Sequence, residues 1–147
     1  MQKLNFSTSI KASKEKVWQT LWDDANYRKW TSAFTEGSYA ETDNWKEGTD
    51  VKFLDPKGSG MISRVAAHRP NEYMSFEHLG EIKDGVEDRT SEKVKEWAGA
   101  KENYTIKEAN GVTTLAVDMD ITDEYKDMFT EMWPKALEKV KALAEIN

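Results

Sequence analysis

The final segment of the chain, from Thr122 or Asp123 to about Ala144, limits the possible folds more than any other feature. Its apolar residues recur at the spacing of one broad helix face, and they are Tyr125, Phe129, Met132, Trp133, Ala136, Val140 and Leu143. About 22 residues at 1.5 Å per residue make a helix of roughly 33 Å. Because Pro134 lacks a backbone donor and clashes with the preceding turn, we expect a kink near Thr130. A helix of this kind needs a broad surface to pack against.

Strand-like alternation dominates the chain before this helix. Residues 4–10 alternate apolar and polar side chains, which predicts a first strand with one buried face. Two short helices are predicted next, one over residues 13–22 and one around residues 27–30. Five or six strands follow, and Asn110-Gly111 is the strongest hairpin signal among them. The order of elements therefore predicts an α+β fold.

Two stretches of the middle region depart from simple alternation. In residues 60–68 the apolar Ile62 and Val65 lie three apart, which implies a bulge or a short pairing. Residues 80–97 are polar and densely charged, so we expect a long loop that is functional or mobile. Trp97 ends this polar stretch and is expected to anchor it to the core.

The charge and composition exclude several classes of protein. The formal net charge is −6, which argues against nucleic-acid binding because that depends on Lys and Arg neutralising phosphates. The chain has no Cys, so we expect no disulfide and no Cys-based nucleophile or metal site. No apolar run approaches the ~18 residues of a membrane span. We expect one domain over residues 1–147, located in the cytoplasm and not inserted in a membrane.

The apolar residues of the chain favour an aromatic interior. Leu, Ile, Val and Phe total only 26 of 147 residues, but six Trp, five Tyr and six Met accompany them. Each aromatic side chain buries about 150–250 Å², so a few of them replace many aliphatic residues in a core. Such interiors often pack irregularly, which is a first indication of a cavity.

Four segments, taken in order, carry a resemblance to a known superfamily. They are IKASKEKVWQTLWDDANYRKW, RPNEYMSFEHLGE, ENYTIKEANGVTTLAVDMDI and WPKALEKVKALAE. Over nearly its whole length the chain resembles the START-like superfamily, also called SRPBCC. Within it the chain is similar to bacterial homologues of the heat shock protein 90 ATPase activator, specifically their C-terminal-type domain.

This resemblance implies the helix-grip fold. In that fold a curved antiparallel sheet of six or seven strands surrounds a long C-terminal helix, with two short helices after strand 1. The members of the superfamily include lipid and hormone carriers, polyketide cyclases and stress proteins. What they share is a cavity between the sheet and the long helix, and the resemblance implies such a cavity here.

Candidate ligand-binding residues are the large side chains that this fold would place around the cavity. They are Trp30, Phe34, Phe53, Phe76, His78, Trp97, Tyr104, Tyr125, Met128, Phe129, Met132 and Trp133. The stripe on the last helix is either plain core or, in its N-terminal half, the roof of the cavity. Met adapts to irregular contents, and Tyr offers a polar tip in an apolar wall. Trp30 and Phe34 are candidate gate residues beside the entrance.

Few polar residues suggest chemistry, and we predict no catalytic residue, no metal site and no cofactor. His78 falls on the inward face of its strand, as a hydrogen-bonding group of the cavity or as a core-edge His satisfied by a neighbour. Glu102 is expected at the sheet rim in water, with a cavity carboxylate as the alternative. Asp118 and Asp120 are expected to be solvated acids, and no nucleotide-binding loop or nucleophile motif is present.

Three functions are compatible with these residues. The first is binding of a small hydrophobic or aromatic ligand in the cavity between the sheet and the C-terminal helix. The second is a chaperone-associated role, with a chaperone as partner, as the resemblance implies. The third is a cyclase or hydratase in which His78, Tyr104 or Glu102 moves a proton. We prefer the first, and the oligomeric state stays open.

Overall fold

The computed structural model of the chain describes residues 1–146, which form eight strands and four helices. The strands are β1 (Gln2–Ile10), β2 (Tyr39–Glu41), β3 (Asp50–Leu54), β4 (Gly60–Arg69), β5 (Tyr73–Lys83), β6 (Val86–Asp88), β7 (Lys101–Ala109) and β8 (Val112–Ile121). The helices are α1 (Lys14–Trp22), α2 (Asp24–Thr31), α3 (Glu92–Lys95) and α4 (Asp123–Ala144). The predicted order of strand, two helices, further strands and one long helix is confirmed.

All the strands belong to one antiparallel sheet. Their order is β1-β8-β7-β5-β4-β3-β2, and the short β6 pairs with β5 beside this path. The first strand lies next to the last because β1 pairs with β8 along its whole length, from Gln2 opposite Ile121 to Ile10 opposite Thr113. The prediction of an α+β fold with a large antiparallel sheet and a long C-terminal helix is confirmed.

Local sequence signals account for the turns and the helix starts. Ser13 caps α1, since its hydroxyl accepts a hydrogen bond from the backbone N–H of Lys16 at 3.1 Å. Asn110 and Gly111 both have positive φ angles, 55° and 79°, as the two-residue turn between β7 and β8 requires. Helix α4 begins at Asp123 and runs through Pro134 as one element.

The prediction of a long loop at residues 80–97 is wrong. Strand β5 extends to Lys83, turns at Asp84-Gly85 and pairs back through β6, after which Ser91 caps the short helix α3. Val94 in α3 is fully buried and anchors this region to the rest of the fold, whereas Trp97 is only half-buried. A two-residue Asp-Gly turn with positive φ at both positions is a hairpin turn, so the polar sequence here forms a paired strand.

Two bulges interrupt the pairing of β4 with β5. Ala66 is the extra residue on β4, and Leu79 is the extra residue on β5, between the pairs His78–Ser63 and Gly80–Ile62. A bulge re-aims the side chains beyond it, because it adds one residue to one strand only. The expected irregularity of residues 60–68 is therefore confirmed, and it decides which side chains reach the inner face of the sheet.

Aromatic rings fill the core between the sheet and the helices. Trp22 lies at its centre, with ring centroids 4.9 Å from Tyr104, 5.0 Å from Trp45 and 5.6 Å from Phe76. The indole N–H of Trp45 donates to the carbonyl of Trp22 at 2.9 Å, so the polar edge of one ring is satisfied inside the cluster. The predicted aromatic interior is confirmed. Within residues 1–146, no helix has the length and apolar content needed to cross a membrane.

Candidate functional site

A cavity of about 450 Å³ lies between the inner face of the sheet, helix α2 and the N-terminal half of α4. Its size falls within the range of about 300–1,000 Å³ that is usual for small-molecule sites. The cavity is partly open to solvent, and at its edge Met128 of α4 is 41% exposed. The fold therefore provides a space where a small molecule can be buried on most sides.

Ten of the twelve predicted site residues line this cavity. They are Trp30, Phe34, Phe53, His78, Trp97, Tyr104, Tyr125, Met128, Phe129 and Trp133. These residues come from α2, β3, β5, β7, α4 and the loops next to them, so elements far apart in sequence converge on one space. The structure brings the ten side chains together, and their part in ligand binding stays a prediction.

Phe76 and Met132 do not line the cavity, contrary to the expectation from sequence. Phe76 is fully buried and contacts Phe53 with ring centroids 5.2 Å apart, so it belongs to the solid core behind the cavity wall. Met132 is half-buried on α4, one residue before Trp133, which takes the cavity-facing position. Phe76 is on the inward face of its strand but lies behind the cavity wall. Met132 belongs to the apolar stripe of α4 but does not face the cavity.

The roof of the cavity is aromatic. Phe34, after α2, lies with its ring centroid 5.0 Å from Trp133 and 6.2 Å from Phe129 of α4. Tyr125 continues the row, 6.4 Å from Phe129. Trp30 is nearly buried, and its indole N–H donates to the carbonyl of Leu21 at 3.1 Å, which fixes the ring in the wall. Of the two predicted gate residues, Phe34 is therefore the more exposed and Trp30 is part of the frame.

A chain of polar groups begins behind the cavity wall and ends inside the cavity. Ser63 Oγ lies 2.7 Å from His78 Nδ1, and His78 Nε2 lies 3.4 Å from Glu102 Oε1. The phenol of Tyr104 donates to Glu102 Oε2 at 2.5 Å. His78 therefore combines both predicted alternatives, because a buried neighbour satisfies one ring nitrogen while the other faces a carboxylate that lines the cavity.

Two phenol groups at this end of the cavity are held in the neutral form. Burial raises the pKa of Tyr27 well above its ordinary value, and the negative charge of Glu102 adds to the increase. The pKa of Tyr104 is raised in the same way, first by burial and then by the charge of Glu102. The carboxylate thus lies close enough to influence both phenols, and the polar end of the cavity contains one carboxylate, two phenols and one imidazole.

Alternation places Glu102 on the same face of β7 as Tyr104, whereas Glu81 departs from the alternation of β5. Glu102 lines the cavity with a side chain that is only 18% exposed, so its expected position at the rim in water is wrong. Glu81 also lines the cavity, although it is three residues after His78 and would face the other way in a regular strand. The bulge at Leu79 turns Glu81 to the inner face, where it lies opposite Met61. The Ile62–Val65 spacing did not signal this shift, because the two side chains pack in separate core clusters on opposite faces of a regular part of β4.

The arrangement does not form a familiar nucleophilic site. Ser63 is fully buried and is not among the residues that line the cavity, so its hydroxyl cannot meet a molecule bound there. In the described part of the chain, no group of three or more His, Asp or Glu side chains is placed to hold a metal ion. The expectation that Asp118 and Asp120 are solvated is wrong: both are half-buried, Asp118 accepts a hydrogen bond from Asn103, and Asp120 accepts one from the backbone of Lys101.

Comparison with known proteins gives matches in structure. No protein-family model matches the chain, and no curated protein is similar to it in sequence. The Aha1 dimer from Colwellia psychrerythraea has a TM-score of 0.72 at 22% identity, over 99% of this chain and 98% of that one. The AHSA1-like protein from Aeromonas hydrophila has a TM-score of 0.68 at 16% identity, over 98% of this chain and 92% of that one.

A third similar structure is DynU16, a protein in the dynemicin biosynthetic locus. Its TM-score is 0.71 at 14% identity, over 97% of this chain but only 46% of DynU16. Identities this low carry information about fold and not about activity. At the level of fold the expectation from sequence is confirmed: the chain has the same helix-grip fold as the Aha1 and AHSA1-like structures.

Proposed function

We propose that this protein binds a small hydrophobic or aromatic molecule in the cavity between the sheet and α4. The observation that carries the proposal is the composition of the wall. Ten aromatic side chains and several apolar ones surround a space of about 450 Å³, and the polar groups are concentrated around Glu102. Ligand sites are typically apolar with a few well-placed polar groups that fix orientation.

The architecture supports a cavity that persists without large rearrangement. Its floor is the hydrogen-bonded sheet, and its frame includes Trp30 and Trp133, which are 2% and 3% exposed. The more exposed roof residues Tyr125 and Met128 are the ones that a ligand would cover. A ligand would thus gain apolar contact on the roof without the cost of ordering the core. A similar fold occurs in DynU16, a protein in the dynemicin biosynthetic locus.

Two experiments test the proposal. Native mass spectrometry of the purified protein, followed by denaturation, is expected to release one defined apolar molecule. A titration with the neutral probe 2-naphthylmethanol is expected to show saturable binding of one equivalent. Thr35→Trp, which adds a large ring at an exposed residue of the cavity lining, is expected to weaken this binding by about tenfold, since it fills part of the space.

Thr114→Trp is the matched control, because Thr114 is exposed on β8 and does not line the cavity. Its affinity for 2-naphthylmethanol is expected to equal that of the wild type. Absence of saturable binding, or an equal loss in both variants, would count against the cavity as a binding site.

A second proposal is association with a chaperone. Its support is the sequence resemblance to heat shock protein 90 ATPase activator homologues together with the structural similarity to Aha1 and AHSA1-like proteins. Such an association would take place in the cytoplasm. Pulldown with heat shock protein 90 and a measurement of its ATP turnover test it. No retention and no change in turnover would reject this role and leave ligand binding unaffected.

A further inference from the structure

The charges around the cavity are strongly one-sided. Four carboxylate residues line it, namely Asp55, Glu81, Glu102 and Asp120. None of the described residues that line it is Lys or Arg, and His78 is the one basic group among them. Asp55 and Asp120 already accept hydrogen bonds from backbone N–H groups, whereas Glu81 and Glu102 accept none from the described backbone. A cavity that is apolar on most sides and negative at its polar groups favours a ligand that carries positive charge.

Glu102 is the carboxylate best placed to meet such a ligand. It is held in position because Tyr104 donates to Oε2, while Oε1 lies 3.4 Å from the imidazole of His78. A carboxylate has about four acceptor sites, so these two neighbours leave capacity for a further donor. The side chain is 18% exposed, which reduces the screening of its charge by water. Charge-assisted hydrogen bonds in such surroundings are the strong ones.

Two further polar groups of the cavity lining make no side-chain hydrogen bond to a described residue. Tyr27 lines the cavity at 7% exposure, and its phenol makes no hydrogen bond there. Glu81 lines the cavity without a side-chain hydrogen bond or ion pair to a described residue. Because the charge of Glu102 helps to raise the pKa of both Tyr27 and Tyr104, its field disfavours a second negative charge at this end. The same field favours a positive one.

We propose that the ligand is a hydrophobic organic cation, an amine with an aromatic or aliphatic body whose ammonium group lies at Glu102. This inference rests on the proposed function and adds the chemical class of the ligand to it. The ammonium group donates to Glu102, with Glu81 as the second carboxylate. The aromatic rings of the wall contact the body, and attraction between a cation and aromatic faces adds to the selectivity.

The N-terminus of α4 would favour an anionic ligand, but acidic side chains beside it oppose this effect. Helix α4 begins at the cavity, where Thr122 lines the wall with a buried hydroxyl that lacks a partner in the described chain. A helix N-terminus is a partial positive charge that attracts anions. However, Asp123 and Glu124 already occupy the first turn of α4, so two fixed negative charges meet that dipole. The remaining charges of the cavity are acidic.

Three probes with the same naphthalene body and different polar groups test this inference. They are 2-naphthylmethylamine, which is protonated at neutral pH, the neutral 2-naphthylmethanol and the anionic 2-naphthoate. Affinities are measured by isothermal titration calorimetry at neutral pH. The amine is expected to bind about tenfold more tightly than the alcohol, and 2-naphthoate more weakly than either. Glu102→Gln is expected to reduce the amine-to-alcohol affinity ratio from about ten to about one, since the amide keeps the shape and removes the charge.

Glu77→Gln is the matched control. Glu77 lies on the same strand as His78 but on the outer face, where it pairs with Arg64. The substitution is therefore expected to leave the amine-to-alcohol affinity ratio unchanged. If Glu102→Gln fails to fold, Glu81→Gln is measured instead. This variant is expected to reduce the amine-to-alcohol affinity ratio by about threefold.

The possible results separate the two proposals. Equal affinity for amine and alcohol, or tighter binding of 2-naphthoate, would overturn the cationic ligand while the binding function stands. A preference for the amine that survives in both Glu102→Gln and Glu81→Gln would overturn the assignment to these carboxylates. Failure of all three probes to bind would overturn the binding function itself, and the ligand class with it.

Discussion

The two halves of helix α4 have the same amphipathic pattern but different surroundings. In the C-terminal half, Trp133, Ala136, Leu137, Val140 and Ala144 are all at most 4% exposed. In the N-terminal half, over residues 123–132, no side chain is fully buried. One half is part of the core, and the other is the roof of a cavity. The helix is continuous, so the difference arises from what each half packs against.

Side-chain size explains much of this difference. Ala136 and Ala144 are small and completely or nearly buried, so the C-terminal half can approach its neighbours closely. Tyr125, Met128 and Phe129 are large, and they hold the N-terminal half away from the sheet around a space. An apolar stripe therefore predicts which face of a helix turns inward, but it does not predict whether that face meets protein or a cavity.

The largest expected change in stability comes from the C-terminal half of α4, which packs in the core. Leu137→Ala is expected to lower the free energy of unfolding by about 2–5 kcal/mol, because it removes a buried side chain and leaves a void. Urea unfolding monitored by circular dichroism measures it. A decrease of less than about 1 kcal/mol in the free energy of unfolding would mean that neighbouring side chains fill the void. The two halves of α4 would then not differ in packing.

A second prediction concerns the phenols at the polar end of the cavity. Their pKa values are raised by folding, so their contribution to stability is complete below the unfolded pKa of about 10 and falls as the pH rises above it. The free energy of unfolding should then decrease by about 1.4 kcal/mol per pH unit for each of Tyr27 and Tyr104.

Urea unfolding across this pH range measures the decrease. In Tyr27→Phe, the fall in the free energy of unfolding per pH unit should be smaller by the contribution of one tyrosine. The neutral range is the internal control, because there the slopes of the wild type and the variant should agree. Identical slopes above about pH 10 would show that this end of the cavity is wetter than its burial indicates.

The smallest effect is expected in the roof. Met128→Ala should change the free energy of unfolding by no more than about 0.5 kcal/mol, because Met128 is 41% exposed. The same variant should weaken binding of 2-naphthylmethanol by a factor of roughly 2 to 5, since apolar contact area is lost on the roof. A stability loss comparable to that of Leu137→Ala would place Met128 in the core and contradict the comparison.

Most of the fold was predictable because its elements are long and strongly periodic. The ten residues of β8 and the 22 of α4 show clear alternation or helical spacing, and the Asn110-Gly111 turn is specific. The region that failed contains elements too short to show a period. Strand β6 has three residues and α3 has four, and both are rich in charge. The hairpin turn Asp84-Gly85 was a usable signal there.

The site was predictable in its apolar part and not in its acidic part. Most of the large residues on inward faces reach the cavity, and ten of the twelve candidates line it. Alternation places Glu102 on the inner face, but its contacts with Tyr104 and His78 decide that it lies inside the cavity and not at the rim. Glu81 depends on a shift of register between two strands, which a single strand does not reveal. Long-range pairing therefore determines the polar groups of the cavity.

Because of the bulge at Leu79, the charge of the cavity depends on how many residues β4 and β5 each contribute to their pairing. Inserting one residue opposite Leu79, between Ile62 and Ser63 of β4, would restore regular pairing, and every side chain of β5 beyond Leu79 would change faces. Glu81 would leave the inner face and the apolar Ile82 would take its place, with no substitution anywhere in the chain. A one-residue insertion in β4 is thus a single-step route by which related sequences could exchange a charged cavity wall for an apolar one.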